Sequence, residues 1–198
     1  MSNTWNERYS QTDYVYGEAP NKFFASVIEN LCPGKMILPC EGEGRNAVYA
    51  AGKGWSVNAF DSSEAGKNKA LQLAFKKKVV IDYVIEDAAL IHFTENSADV
   101  VAFIYAHFPA SVRKPIHQKA IQWLKPGGRI IIEAFTPLQL KNNSGGPKDL
   151  AMLYTEEILK EDFNGMQISL LQTMQTTLCE GKYHQGIADI IQFTGVKI

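Results

Sequence analysis

Two glycines separated by one residue follow a short apolar segment in the first quarter of the chain. Residues 36–38 have the composition of a buried strand, and residues 45–51 are compatible with a helix. Glycines at such a strand-to-helix turn let the backbone approach a ligand, with free helix N–H groups facing it. Gly42 to Ala47 fits the pattern G-x-G-x-x-G/A, which predicts a nucleotide-cofactor turn and is weak evidence when it stands alone.

An acidic residue follows the second predicted strand, where a nucleotide-cofactor site of this kind has one. Residues 55–60 form a second short apolar segment, and it ends in Asp61, 17 positions beyond Gly44. An acid at the tip of the second strand is placed to accept hydrogen bonds from both hydroxyls of a ribose. We therefore favour a role for Asp61 in binding the ribose over the alternative that it is only an acid at the end of a strand.

The turn also carries Glu41 and Glu43. A carboxylate about 4 Å from a pyrophosphate would be repelled by roughly 4 kcal/mol at an effective dielectric near 20. S-adenosylmethionine (SAM) has a ribose, no phosphate, and a positive sulfonium and ammonium, so the acids favour SAM over NAD. Three alternatives stay open: an NAD-type oxidoreductase, a non-catalytic SAM-binding module, and a glycine turn with solvated acids.

Composition excludes several classes of protein. The 198 residues predict one domain spanning 1–198, and the net charge of −1 predicts neither a nucleic-acid nor a membrane partner. The three cysteines include no C-x-x-C pair, so we expect no disulfide framework, no metal site and a cytoplasmic location. Nothing in the composition predicts the oligomeric state.

Strand and helix patterns alternate through the first two thirds of the chain, which predicts an α/β fold with a doubly wound, mostly parallel sheet. Segments 167–178 and 186–196 predict an antiparallel hairpin at the sheet edge. Residues 136–149 predict a glycine-rich loop, and the aromatic segment 1–18 predicts a lid.

Several motifs together resemble the class I SAM-dependent methyltransferases. They are the glycine turn, Asp61, Asp87-Ala88 after the third strand, Lys-Pro-Gly-Gly at 125–128, and the terminal hairpin. Gly-Arg-Asn at 44–46 and the N-terminal aromatics are most similar to the small tellurite-resistance and thiopurine-methyltransferase-like branch. The resemblance implies a Rossmann-like, seven-stranded sheet with SAM as cofactor and S-adenosylhomocysteine as product. Two positions depart from the family's first motif, since Cys40 replaces a glycine and Leu38 an acid.

The resemblance also implies roles for individual residues. Asp61 would hold the ribose, Glu41 the ammonium and Arg8 the carboxylate of the cofactor, while Asp87 would accept from the adenine amino group. The full set of implied cofactor-binding residues is Arg8, Tyr16, Cys40, Glu41, Gly42, Gly44, Asn46, Asp61, Ser62, Asp87, Ala88 and Tyr105.

His107 follows the fourth strand, where the resemblance places the sulfonium and the substrate. It is a candidate general base, because a histidine pKa near 6.5 suits neutral pH. A histidine that is only hydrogen-bonded at a strand end is the equal alternative. We expect a small-molecule acceptor with a soft or anionic nucleophile, a thiol or a chalcogen oxyanion, for which an aromatic pocket suffices without a strong base. The other histidines, His184 among them, are expected to be structural or solvated.

Overall fold

A computed structural model describes residues 2–198, with side chains from residue 4 onward. Its strands are β1 Lys35–Pro39, β2 Ser56–Asp61, β3 Asp82–Ile85, β4 Ala98–Ile104, β5 Leu124–Phe135, β6 Met166–Glu180 and β7 His184–Lys197. They form one seven-stranded sheet in the order β3-β2-β1-β4-β5-β7-β6. The first five strands are parallel, and β7 runs antiparallel to both β5 and β6. The predicted α/β fold and the predicted terminal hairpin are both confirmed.

Six α-helices accompany the sheet among the described residues: α1 Ser2–Tyr9, α2 Lys22–Ile28, α3 Arg45–Gly52, α4 Glu64–Lys77, α5 Ala110–Trp123 and α6 Glu156–Asp162. Side-chain caps start three of them: Asn21 accepts from the N–H of Phe24, Ser63 from that of Gly66, and Thr155 from that of Ile158. Such caps satisfy backbone donors that have no partner within the helix. None of these helices is long and apolar enough to cross a membrane.

The core lies on both faces of the sheet. Met36 and Leu38 pack on one face with α2, α3 and α4, while Ile37 packs on the other face with α5 and α6. This alternation follows from the period of two in a strand. Parallel pairing of β1 with β2 and with β4 places the carboxyl ends of the three strands at one edge of the sheet.

Element boundaries differ from the sequence prediction at two strands. The sequence predicts the third strand from Val79. In the structure the N–H of Val79 bonds back to the carbonyl of Ala74, just after the Lys78 cap of α4, and β3 begins at Asp82. The fifth strand starts at Leu124 rather than Arg129, because Leu124 already pairs with Ala98.

Candidate active site

A cavity of about 410 Å³ opens at the carboxyl edge of the parallel strands. Its size is in the range of small-ligand and cofactor sites, and this edge is where open α/β sheets bind ligands. Eleven of the residues singled out in the sequence line it: Arg8, Tyr16, Cys40, Glu41, Asn46, Asp61, Ser62, Asp87, Ala88, Tyr105 and His107. The topology therefore brings together residues from distant parts of the chain.

Gly42 and Gly44 are not among the residues that line the cavity, so their expected contact with the cofactor stays a prediction. Both have positive φ, 57° and 84°, in the left-handed region that favours glycine. A Cβ on Gly44 would lie 2.5 Å from the Cβ of Ala70 in α4, and one on Gly42 would lie 2.5 Å from Tyr9 Oη. The two glycines thus allow close packing of the turn against α4 and α1.

Glu41 caps helix α3 from the turn. Its Oε1 accepts from the N–H groups of Asn46 and Ala47, at 2.8 and 2.7 Å. Burial raises the pKa of this carboxyl to about 7, although the hydrogen bonds from the helix N-terminus oppose the shift. The carboxylate lines the cavity while it holds the helix, so its contact with a cofactor ammonium stays a prediction.

Asp61, at the end of β2, is hydrogen-bonded to the glycine turn that follows β1. Its Oδ2 accepts from Gly42 N at 3.1 Å and its Oδ1 from Ser63 N at 2.9 Å. Burial raises its pKa to about 6. Across the described residues neither Asp61 nor Glu41 forms an ion pair, whereas Glu43 pairs with Lys69 at 2.8 Å. The cavity therefore has one end with two buried carboxylates and no ion-paired cation to balance them.

The N-terminal segment covers the cavity. Trp5, Arg8, Tyr9 and Tyr16 line the cavity, and the carboxylate of Glu43 accepts from the N–H of Val15 at 2.9 Å. Met1 of the predicted lid lies outside the described residues. Arg8 donates to Tyr16 Oη at 2.8 Å and stacks on the Trp5 ring at 4.7 Å, so its guanidinium is oriented but forms no ion pair among the described residues.

His107 lines the cavity just beyond the carboxyl end of β4, as predicted, and both of its ring nitrogens form hydrogen bonds. Its Nδ1 is 2.8 Å from the carbonyl oxygen of Met152, and its Nε2 accepts from the N–H of Phe135 at 3.2 Å. Burial lowers its pKa to about 4. Because both ring nitrogens already form hydrogen bonds, the geometry favours the alternative of a histidine that is hydrogen-bonded at a strand end, and a role of His107 as general base stays a prediction.

The sequence reasoning missed a second polar group beside Tyr105. Tyr105 has φ 53° and donates to Glu133 Oε1 at 2.8 Å. Next to it His184 lines the cavity, with its Nδ1 3.2 Å from Glu180 Oε2, and Glu180 pairs with Arg45 at 2.9 Å. In the sequence, the one indication of the contact between Glu180 and His184 is their four-residue spacing across the predicted hairpin turn.

Comparison with known proteins identifies a methyltransferase domain within the chain. Residues 40–132 match the family model described as a methyltransferase domain. No curated protein sequence matches the chain significantly. Residues 40–132 therefore form a methyltransferase domain, and the fold is that of solved SAM-dependent methyltransferases, while one similar methyltransferase structure contains bound S-adenosylhomocysteine.

Three solved structures are similar over the whole of this chain. TehB from Haemophilus influenzae has 16% identity and a TM-score of 0.74, with 100% of this chain and 67% of that chain covered. Magnesium protoporphyrin IX methyltransferase from Synechocystis, solved with bound S-adenosylhomocysteine, has 16% identity, a TM-score of 0.73 and coverages of 100% and 98%. A protein from work on the conversion of a disulfide bond into a thioacetal group during echinomycin biosynthesis has 14% identity, a TM-score of 0.82 and coverages of 100% and 91%.

Proposed function

We propose that this protein methylates a small molecule at a soft or anionic nucleophile, a thiol or a chalcogen oxyanion. The observation that carries the proposal is the asymmetry of the cavity: buried carboxylates without an ion-paired cation at one end, and aromatic rings at the other. The first end suits a cationic cofactor, and the second suits an apolar, polarisable acceptor.

The residues at the acidic end fit SAM, because the cofactor's positive charge offsets the cost of burying Asp61 and Glu41 as carboxylates. When bound, SAM supplies a methyl group on a cationic sulfur. We assign Asp61 to the ribose hydroxyls, and Ser62, Asp87 and Ala88 to the adenine. The guanidinium of Arg8 is assigned to the carboxylate.

The acceptor end is formed by Tyr16, Tyr105 and Phe135, and the ring centroids of Tyr105 and Phe135 are 4.6 Å apart. An anionic or soft nucleophile loses charge together with the sulfonium in an in-line displacement, so a low-polarity, water-excluding wall favours the reaction. Membership of the tellurite-resistance and thiopurine-methyltransferase-like branch is part of this proposal. So are a single domain with an N-terminal lid, a cytoplasmic location, and a reaction without nucleic-acid or membrane partners.

Two measurements test the proposal. Calorimetry should detect binding of SAM and S-adenosylhomocysteine and none of NAD. Mass spectrometry of reactions with matched small thiols, selenite and the corresponding alcohols and amines should find methyl transfer to sulfur or the chalcogen only. Transfer to alcohols or amines instead would contradict the acceptor class, and SAM binding without turnover of any acceptor would favour a non-catalytic module.

A further inference from the structure

We propose that His184 is the general base of the reaction, oriented by Glu180, and that the acceptor is a thiol that must lose its proton. The inference rests on the proposed function and decides between its two acceptors, because a chalcogen oxyanion is already ionised. The observation behind it is that the hydrogen bonds of His184 involve only Nδ1 and leave Nε2 available.

Glu180 fixes the tautomer of His184. Its carboxylate accepts at Oε2 from His184 Nδ1, at 3.2 Å, so the proton of the neutral ring sits on Nδ1 and the lone pair on Nε2. Arg45 Nη2 holds the same carboxylate at 2.9 Å. A base whose other nitrogen is held by a fixed carboxylate is the arrangement that activates nucleophiles in enzymes.

Among the histidines of the described residues, only His184 both lines the cavity and has a ring nitrogen without a hydrogen bond. His107 uses both nitrogens, and His117 Nε2 is enclosed without a partner, beside Asp162 in the core. His92 is exposed. His184 Nε2 forms no hydrogen bond within residues 4–198 and, unlike His117 Nε2, is not fully enclosed.

The surrounding residues aim the His184 ring. Its centroid lies 4.5 Å from the ring centroid of Tyr16 and 4.6 Å from that of Tyr105, at the tip of β4. Gly145, with φ 122°, passes over the ring edge, and a Cβ there would lie 3.2 Å from Nε2. Glycine at this position therefore keeps the nitrogen uncovered.

The charges facing His184 keep it neutral and ready to accept a proton. Burial lowers its pKa, Arg45 and Arg8 lower it further, and the carboxylate of Glu180 opposes them. Tyr16, Tyr105 and His107 also face the ring, and their raised phenol pKa values and low imidazole pKa leave them uncharged at pH 7. Glu133 accepts a hydrogen bond from the hydroxyl of Tyr105.

The proton and electron balance of the step is simple. The thiol proton passes to His184 Nε2, and the sulfur pair forms the bond to the methyl carbon. The bond from that carbon to the donor sulfur breaks, and its electron pair stays on that sulfur. Both products are then neutral thioethers at sulfur, the imidazolium is balanced by Glu180, and the proton leaves to water.

Two thiols separate a base from a packing role. 2-Mercaptoethanol is a thiol at neutral pH, whereas 5-thio-2-nitrobenzoate is already a thiolate. In the full-length protein, His184→Gln should lower kcat/KM for mercaptoethanol about 10²–10⁴-fold at pH 7, with recovery as pH rises. It should change the value for the thiolate less than about fivefold. Glu180→Gln, at the positioning residue, should give an intermediate loss and a shifted pH profile for mercaptoethanol alone.

Calorimetric SAM affinity and thermal unfolding of both variants provide the control for folding. Equal losses for the two thiols, or none for mercaptoethanol, would refute the base. A wild-type protein that binds SAM but methylates neither thiol overturns the thiol acceptor and this inference with it, while leaving the cofactor assignment intact.

Discussion

The carboxylate of Asp61 accepts a hydrogen bond from the backbone N–H of Gly42 across 3.1 Å, which ties the acid ending β2 to the turn after β1. The acid thus has two tasks. It holds the glycine turn in its left-handed conformation, and it presents a buried negative charge to the cavity. Substitutions at Asp61 must separate these tasks to be informative.

Asp61→Asn should weaken SAM binding by about 1.5–3 kcal/mol, the range for hydrogen bonds with a charged partner. Asparagine keeps one oxygen to accept from the turn, so the fold should be retained. The matched control is Asp82→Asn, an exposed acid on β3, which should leave the affinity unchanged. If calorimetry finds equal affinities for Asp61→Asn and the wild type, the ribose assignment is wrong.

Glu41→Gln should stabilise the ligand-free protein at pH 8 and not at pH 5. The folded-state pKa of about 7 lies above the ordinary 4.5, so between these values the folded protein binds more protons than the unfolded chain. The contribution of Glu41 to the free energy of unfolding therefore falls as pH rises from about 4.5 to 7, by about 1.4 kcal/mol per pKa unit.

Glutamine keeps an oxygen to cap α3 and cannot ionise, which removes this pH dependence. Thermal unfolding of both proteins at the two pH values measures the difference. A melting-temperature difference that is the same at pH 5 and pH 8 would contradict the raised pKa.

SAM affinity of the wild type should rise between pH 5 and pH 8. Asp61, with a pKa of about 6, and Glu41, with a pKa of about 7, are largely protonated at the lower pH and become the anions that a cationic ligand favours. Calorimetry at constant ionic strength tests this, and binding near pH 6 should release fewer protons in Asp61→Asn than in the wild type. Affinity independent of pH would argue against a cationic group beside these acids.

Gly42→Ala should loosen helix α1 and raise the KM for SAM. Its positive φ alone makes alanine unfavourable by about 1 kcal/mol, and the added Cβ would lie 2.5 Å from Tyr9 Oη. Gly52→Ala is the matched control, because a Cβ added there would meet no atom within 4 Å. Hydrogen exchange of residues 2–9 should speed up in the first variant only, and equal protection in both would refute the packing role.

His107→Ala should slow catalysis less than a hundredfold and leave the pH–rate profile unchanged. The expected loss is in stability, about 1–3 kcal/mol, because the buried N–H of Phe135 loses its acceptor. Chemical denaturation and steady-state kinetics measure the two effects. A rate loss above a hundredfold that is relieved at high pH would instead identify His107 as the base.

The sequence by itself determined the fold class and the acidic half of the site. Apolar strand segments separated by helices allow few topologies, and residues at the carboxyl ends of parallel strands must share one edge. Asp61, Asp87 and Ala88, each at the end of a predicted strand, therefore line the cavity as expected.

Only the tertiary structure decided which histidine is free. His107 sits at the expected strand end, but Met152 and Phe135, 45 and 28 residues away, occupy its nitrogens. His184 reaches the same cavity through the hairpin, where Glu180 and Arg45 hold it. Hydrogen bonds between residues far apart in sequence fix the protonation of a side chain, and no local pattern records them.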